Sequence, residues 1–306
     1  MSQAQNRIDL IGLATDAGAS ARGATMGPEA LRIAGLTGAL EGLGLTVADT
    51  GDFRPGESGP SPERRRAEIL AVAADASRRG YDSLASGGIP LFLGGDHSIG
   101  YPDIRAMSPY IDGNIGIIHF DRHSDISEYN IDERMHGTPF FHATNIPNAP
   151  ASNLVQIGIG GWLGNRSGVK VSRERQASCI TLTDIDRYGL ERTCELALEL
   201  AWKDADAVFL SFDIDSIDPA FAPGTGTPEA GGLLPREALA MLRLLCREGV
   251  AGMEIVEVSP PYDHSDITSV LASRIINDVL GILISEGKLG RPPREEPEAA
   301  SEPPDA

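Results

Sequence analysis

The stretch NIGIIHFDRHSD (114–125) decides how this chain folds. Its first half is apolar at odd and even positions alike. Such a run suits a strand covered on both faces, as in a parallel sheet lined by helices. Its second half sets Asp121, His123 and Asp125 at alternate positions, with Arg122 between the first two. In an extended chain, side chains at i and i+2 share a face. The three ligand-type groups are therefore expected to point one way, and Arg122 and Ser124 the other.

Working outward, similar runs recur along the chain. RIDLIGLAT (7–15), GLTVADTG (44–51), IPLFLGGDH (89–97) and NLVQIGIGG (153–161) read as strands, as do ASCITLTDI (177–185), DAVFLSFDID (206–215) and GMEIVEVSP (252–260). Helical patterns fall between them: 27–44, with proline in its first turn, 61–80, opened by a serine cap and a proline, and 190–203, 234–249 and 265–287. Eight strands alternating with helices predict one doubly wound parallel sheet. The expected layout is a single catalytic domain over 1–287 and a disordered, acidic, proline-rich tail over 288–306.

Composition narrows the function. The 306 residues are 41% hydrophobic, enough for a sizeable core, and carry 26 basic against 44 acidic side chains, a net charge of −18. That field disfavours nucleic acid and anionic membranes and favours cationic ligands. Three scattered cysteines, Cys179, Cys194 and Cys246, read as reduced thiols, and MSQAQNRIDLIGLATDAG lacks the pattern of a signal peptide. No apolar run is expected to reach the roughly 18 residues of a membrane helix. The cytoplasm is the expected compartment.

Open parallel sheets bind ligands beyond the carboxyl ends of their strands. Three strand ends here carry acids and histidines: GGDHS with His97, HFDRHSD with Asp121, His123 and Asp125, and SFDIDSIDP with Asp213 and Asp215. Imidazole and carboxylate are ligands for Mn, Ni, Zn or Fe. Six such groups exceed the needs of one ion and fit two sharing bridging carboxylates, an arrangement that generates a hydroxide nucleophile at neutral pH. His119 lies inside the strand and reads as a hydrogen-bonded neighbour of the site. His136 opens HGTPFF (136–141), a shaped loop, where a histidine that is not a ligand can move a proton to a leaving amine. His142 reads as packing and His264 as a helix-start residue. Glu257, between Val256 and Val258, needs a buried partner, and a planar guanidinium satisfies both its oxygens.

GGDHS, DxHSD, SFDID followed by DP, APGTGTP and EVSP resemble, in order, the motifs of the ureohydrolase family of arginases and agmatinases, over residues 8–285. The resemblance implies a three-layer α/β/α sandwich around an eight-stranded, mostly parallel sheet. It implies one metal ion on His97, Asp121, Asp125 and Asp213 and a second on Asp121, His123, Asp213 and Asp215. It further implies a proton shuttle at His136, a guanidinium-binding Glu257 and an Asp125 that orients the nucleophile. The expected cofactors are two divalent ions per subunit, Ni²⁺ or Mn²⁺, and the expected assembly is a trimer or hexamer. Asp218 and Pro219 are expected to form a turn.

Several departures bear on the substrate. Arg122 replaces the usual small residue, GGWLGNR (160–166) lacks an acidic segment of arginases, and ISEYN (126–130) lacks their asparagine. The strings DRHSD (121–125), DERMHGTPFFHATN (132–145) and LVQIGIGGW (154–162) resemble a subgroup that hydrolyses guanidine, small N-substituted guanidines or biguanides, some members of which prefer nickel. In this reading Trp162, with Phe140 and Phe141 near the mouth, contacts a small cation. The alternative is agmatine, its distal amine meeting Glu128, Asp132 and Glu133, or a guanidino acid. A single-zinc deacetylase leaves His97 and Asp125 without a role. A non-catalytic subunit of a mixed oligomer with a paralogue is the reading from another class, opposed by the complete set of candidate ligands.

Overall fold

The computed structural model describes residues 6–55, 61–128, 135–160 and 166–289. Eight parallel strands form one sheet: β1 (Arg7–Leu13), β2 (Thr46–Phe53), β3 (Ile89–Gly94), β4 (Asn114–Phe120), β5 (Leu154–Ile159), β6 (Ser178–Thr181), β7 (Ala205–Asp213) and β8 (Gly252–Val256). Their order across the sheet is β2-β1-β3-β8-β7-β4-β5-β6. Ten α-helices accompany them among the described residues: α1 (Gly27–Ile33), α2 (Leu36–Gly42), α3 (Pro62–Ala85), α4 (Gly100–Met107), α5 (Pro139–Ala143), α6 (Arg166–Arg175), α7 (Leu182–Tyr188), α8 (Leu190–Ala201), α9 (Pro235–Leu245) and α10 (Ile267–Ser285).

The sheet divides the core in two. Ile8, Leu10, Ile118, Phe120, Val208 and Leu210 face the layer holding α1, α2, α8, α9 and α10. Ile11, Leu13, Ile115, Ile117, Ala207 and Phe209 face the layer with α3, α4 and α5. Adjacent residues of one strand thus enter opposite cores, which is why these strands read as unbroken apolar runs. The expected three-layer architecture is the observed one.

Differences from the expected elements have local causes. The helix expected over 27–44 breaks at Gly35, whose φ of 88° is left-handed. The strand expected to run to 185 stops at Thr181. There the Thr181 hydroxyl accepts from the Asp184 backbone and the Asp184 carboxylate takes the Thr181 N–H, a reciprocal cap that opens α7. The 19-residue α10 corrects the expectation about apolar runs, being long and apolar enough by length and composition to cross a membrane. Here it is a core helix, with Ala272, Ile275, Ile276, Val279 and Leu283 buried against the sheet.

Strand order also builds the site. Adjacent β3, β8, β7 and β4 lead directly into His97, Glu257, Asp213 and Asp121. Residues up to 160 positions apart in sequence therefore meet at one edge of the sheet: the His97 N–H donates to Glu257 Oε1 at 2.9 Å.

Candidate active site

The loops after β3, β4 and β7 share one device. An aspartate just beyond, or at the end of, the strand accepts the backbone N–H two residues on: Asp96 from Ser98 (2.9 Å), Asp121 from His123 (2.5 Å), Asp213 from Asp215 (2.8 Å). Such turns bend the chain back across the sheet's edge. This corrects the expected strand alternation, because β4 ends at Phe120 and Asp121, His123 and Asp125 lie in the loop beyond it. Asp125 and Glu257 both take left-handed backbone angles, φ 41° and 63°, unusual for residues with side chains and common where function dictates geometry.

These turns gather the six candidate ligands. His97 Nδ1 lies 3.3 Å from Asp121 Oδ2, 3.1 Å from Asp125 Oδ2 and 3.2 Å from Asp213 Oδ2. His123 Nδ1 lies 3.0 Å from Asp215 Oδ2 and 3.4 Å from Asp121 Oδ1. Three groups of ligand atoms result among the described residues, His97 with Asp121, Asp125 and Asp213, Asp121 with His123 and Asp215, and His97 with His119 and Asp121. Asp121 belongs to all three. Asp213, expected to bridge, is in the first group only.

The donor set fits divalent ions. His97 Nδ1 is buried without a hydrogen-bond partner and aims at three carboxylate oxygens. Ligand atoms about 2.1 Å from a shared ion, at right angles, would stand ~3 Å apart, close to the observed spacings. Electrostatics agree. Burial, then the charges of Asp215 and Asp121, pushes the Asp213 carboxyl well above the usual range, and burial with Asp121 raises Asp215 to about 6. Burial opposes charge on His97, yet the surrounding carboxylates outweigh it and raise its pKa well above the usual value. Buried carboxylates crowded in this way favour a proton or a cation among them.

His136 and Glu257 stand beside this cluster. His136 Nδ1 is 3.0 Å from Glu257 Oε1, and the His136 backbone N–H donates to Gly18 O at 3.2 Å. Burial disfavours the imidazolium, but Glu257, Asp125 and Asp96 outweigh it and raise His136 to about 9. Burial works against the Glu257 charge too, and His136 with the His97 N–H still hold its carboxyl below the usual value.

Residues that motif reading passed over complete the site. Asp96 accepts the Gly18 N–H at 2.8 Å and so anchors the loop against which His136 rests. The Thr227 hydroxyl donates to Asp215 Oδ2 at 2.9 Å. Glu229 stands 4.0 Å from His123 Nε2. The Ser211 hydroxyl meets His97 Nε2 at 2.9 Å, and Glu254 and Asp103 lie fully buried behind it. Asp96 and Ser211 lie inside the GGDHS and SFDID motifs, but their roles, like those of Thr227, Glu229, Glu254 and Asp103, appear only from pairing across neighbouring elements.

The Arg122 side chain is not part of the cluster, although strand alternation, which ends at Phe120, is not the cause. Its guanidinium donates to Gly158 O and Ala230 O, each at 3.2 Å, with Glu229 at 3.9 Å. The expected turn at Asp218 is present, its carboxylate accepting from Ala220, Gly231 and Gly232. Other expectations change. Phe140 is fully buried, its ring against His119 and His97, so it cannot line a mouth. Phe141 is covered by the Arg175 guanidinium, 3.7 Å from the ring centre. His142 packs near Tyr101, and His264 is exposed. Trp162, Asp132 and Glu133 lie outside the described residues.

Residues 6–281 match the family model described as "Arginase family". The chain is 35% identical over 285 residues to the human mitochondrial guanidino acid hydrolase, covering 88% of this chain and 76% of that protein. It is 34% identical to the mitochondrial agmatinase of Gallus gallus over 89% of this chain and 80% of the relative. The crystal structure of arginase from Bacillus subtilis superposes with a TM-score of 0.81 at 30% identity, covering 90% of this chain and 98% of the other. An eight-stranded parallel sheet presenting a buried carboxylate–imidazole cluster, joined to these likenesses, places the chain in the arginase family, as a hydrolase of carbon–nitrogen bonds in amidines.

Proposed function

We propose that this enzyme hydrolyses guanidine or a small N-substituted guanidine or biguanide, giving urea or a substituted urea and ammonia or an amine. The carrying observation is the His136–Glu257 pair set against the ligand groups. His97, Asp121, Asp125 and Asp213 would hold one divalent ion, Ni²⁺ or Mn²⁺, and Asp121, His123 and Asp215, with Asp213 as the proposed second bridge, the other. When bound, the ions supply a water of lowered pKa.

The chain's own residues do the rest. Glu257, 2% exposed, presents a carboxylate to the planar cation and orients its carbon toward the cluster. Asp125, at 3.1 Å from His97, is placed to accept a hydrogen bond from the nucleophile. His136, whose imidazolium Glu257 favours, would give its Nδ1–H to Glu257 and offer its Nε2–H to the departing nitrogen. The water oxygen bonds to the guanidinium carbon, a proton from that water passes by way of His136 to one nitrogen, its C–N bond breaks, and the nitrogen leaves as ammonia or amine while the carbon keeps the oxygen as urea.

A small cation is favoured over a carboxylate-bearing substrate by the charge around the cluster. Asp96, Glu229 and Glu257 surround it, and Arg122 is turned away onto backbone carbonyls. Agmatine is the second reading, because Glu229 could meet a distal ammonium. The test is urea or alkylurea release from guanidine, methylguanidines, biguanides, agmatine, guanidinobutyrate and arginine with Mn²⁺ or Ni²⁺. Preference for agmatine would select the second reading, and preference for guanidinobutyrate would overturn the charge argument. We also propose a homo-oligomer, trimer or hexamer, and a monomeric mass by light scattering would refute it.

A further inference from the structure

Gln156 and His119 have no part in the chemistry above, yet both are wholly buried beside the cluster. They are paired across neighbouring strands β5 and β4. Gln156 Nε2 donates to the backbone carbonyl of Ser124, and Gln156 Oε1 accepts from the Ser172 hydroxyl at 3.3 Å. A carbonyl only accepts, so these contacts fix which end of the amide is NH₂.

The same Nε2 stands 3.1 Å from His119 Nδ1. With one N–H committed to Ser124, the other points at the ring, and Nδ1 receives it as a lone pair. The imidazole proton is thereby placed on Nε2, which lies 2.8 Å from Asp121 Oδ2. The ring cannot easily turn over, because Phe140 covers it with centroids 4.1 Å apart and His97 stands 5.1 Å away. Asp121 is then held at both oxygens, Oδ2 by His119 and Oδ1 by the His123 N–H.

We propose that Gln156 sets the tautomer of His119, and that His119 through Nε2–H aims the Asp121 carboxylate. Both are positioning residues. His119 is grouped with His97 and Asp121, but with Nε2 facing Asp121 and Nδ1 receiving the Gln156 amide, both ring nitrogens are already engaged. The chain Gln156–His119–Asp121 is a carboxylate ligand steadied from behind, the arrangement in which outer partners tune metal affinity.

The part concerning Asp121 rests on its reading as a ligand, so the experiment has two independent arms. In the first, ¹⁵N NMR of the histidine-labelled, metal-free full chain reads tautomers directly. A neutral Nε2–H signal that disappears in His119→Gln, and that moves to the Nδ1–H or imidazolium position in Gln156→Glu, is expected. An Nδ1–H or imidazolium His119 in the parent chain overturns the proposal whatever the metal does. In the second, Mn²⁺ and Ni²⁺ dissociation constants are measured by chelator competition on folded, correctly assembled variants. His119→Phe and Gln156→Glu should weaken binding by about 10- to 100-fold. His119→Gln, whose amide can donate to Asp121, should recover most of it. Unchanged affinity in His119→Phe overturns the positioning role. A parent chain that binds neither ion overturns that role and the metal reading together, while the NMR arm still decides the tautomer.

Discussion

In metal-free protein, the buried ion pair between His136 and Glu257 should make stability depend on pH in a way one substitution removes. His136 rises from 6.5 to about 9 on folding, chiefly because Glu257 outweighs the cost of burial. The folded state binds the proton more tightly, so stability from this group is fully present below pH 6.5 and is lost as pH rises through about 9. At about 1.4 kcal/mol for each pH unit, the whole effect is about 3 kcal/mol. Urea titrations followed by circular dichroism, in chelator, from pH 5.5 to 10, should show parent and His136→Asn diverging below pH 6.5. Their difference should shrink by about 3 kcal/mol across the window and vanish as a pH dependence in a Glu257→Gln background. A difference that stays constant from pH 6 to 9.5, or that persists with Glu257→Gln, would refute the claim that Glu257 holds the imidazolium.

Asp121→Asn and Asp213→Asn should each reduce bound Mn²⁺ or Ni²⁺, measured by mass spectrometry of the metals, from about two ions per chain to one or fewer, with turnover falling by more than about 100-fold; full occupancy would remove them from the ligand set. Glu257→Gln should cost about 2–4 kcal/mol in kcat/KM, roughly 30- to 1,000-fold, while leaving metal content unchanged; equal kcat/KM would free Glu257 from substrate binding. Arg122→Ala removes a buried hydrogen bond to Gly158 and a partly buried one to Ala230 and should destabilise the chain by about 2–3 kcal/mol, lowering Tm by several degrees. Lysine should restore only part of that, since it lacks the planar fork; an unchanged Tm would show the guanidinium to be dispensable.

Much of the fold was legible because both faces of the sheet are covered. A strand such as β4 places Ile117 in one core and Ile118 in the other, so its apolar run is unbroken. Short helices were less legible. α5 spans five residues, and α6, RSGVKVSRER, has too few apolar positions to show a period. The end of β6 was hidden because the Thr181–Asp184 cap lies inside an apolar run. Candidate ligands stood out because each group follows a strand that needs no acids. Strand alternation was nevertheless the wrong reason for their convergence, since side-chain-to-backbone turns gather them. Phe140 illustrates a further limit: an aromatic beside a site reads the same in sequence whether it lines a mouth or packs beneath two histidines.

The ordering of β3, β8, β7 and β4 at the centre of the sheet has a consequence for biosynthesis. A ribosome releases His97 and the Asp121–Asp125 loop long before it reaches Asp213, Asp215 and finally Glu257. The nascent amino-terminal half offers His97, Asp121 and Asp125 without the strand that will stand between β4 and β8. An ion captured then would be held by an incomplete cage and exchange freely. The strands that supply Asp213, Asp215 and Glu257, β7 and β8, lie between β3 and β4, so the cage is complete only when the middle of the sheet is filled. Metal retention in this chain should therefore be a reporter of completed folding, acquired abruptly once the last two strands are in place.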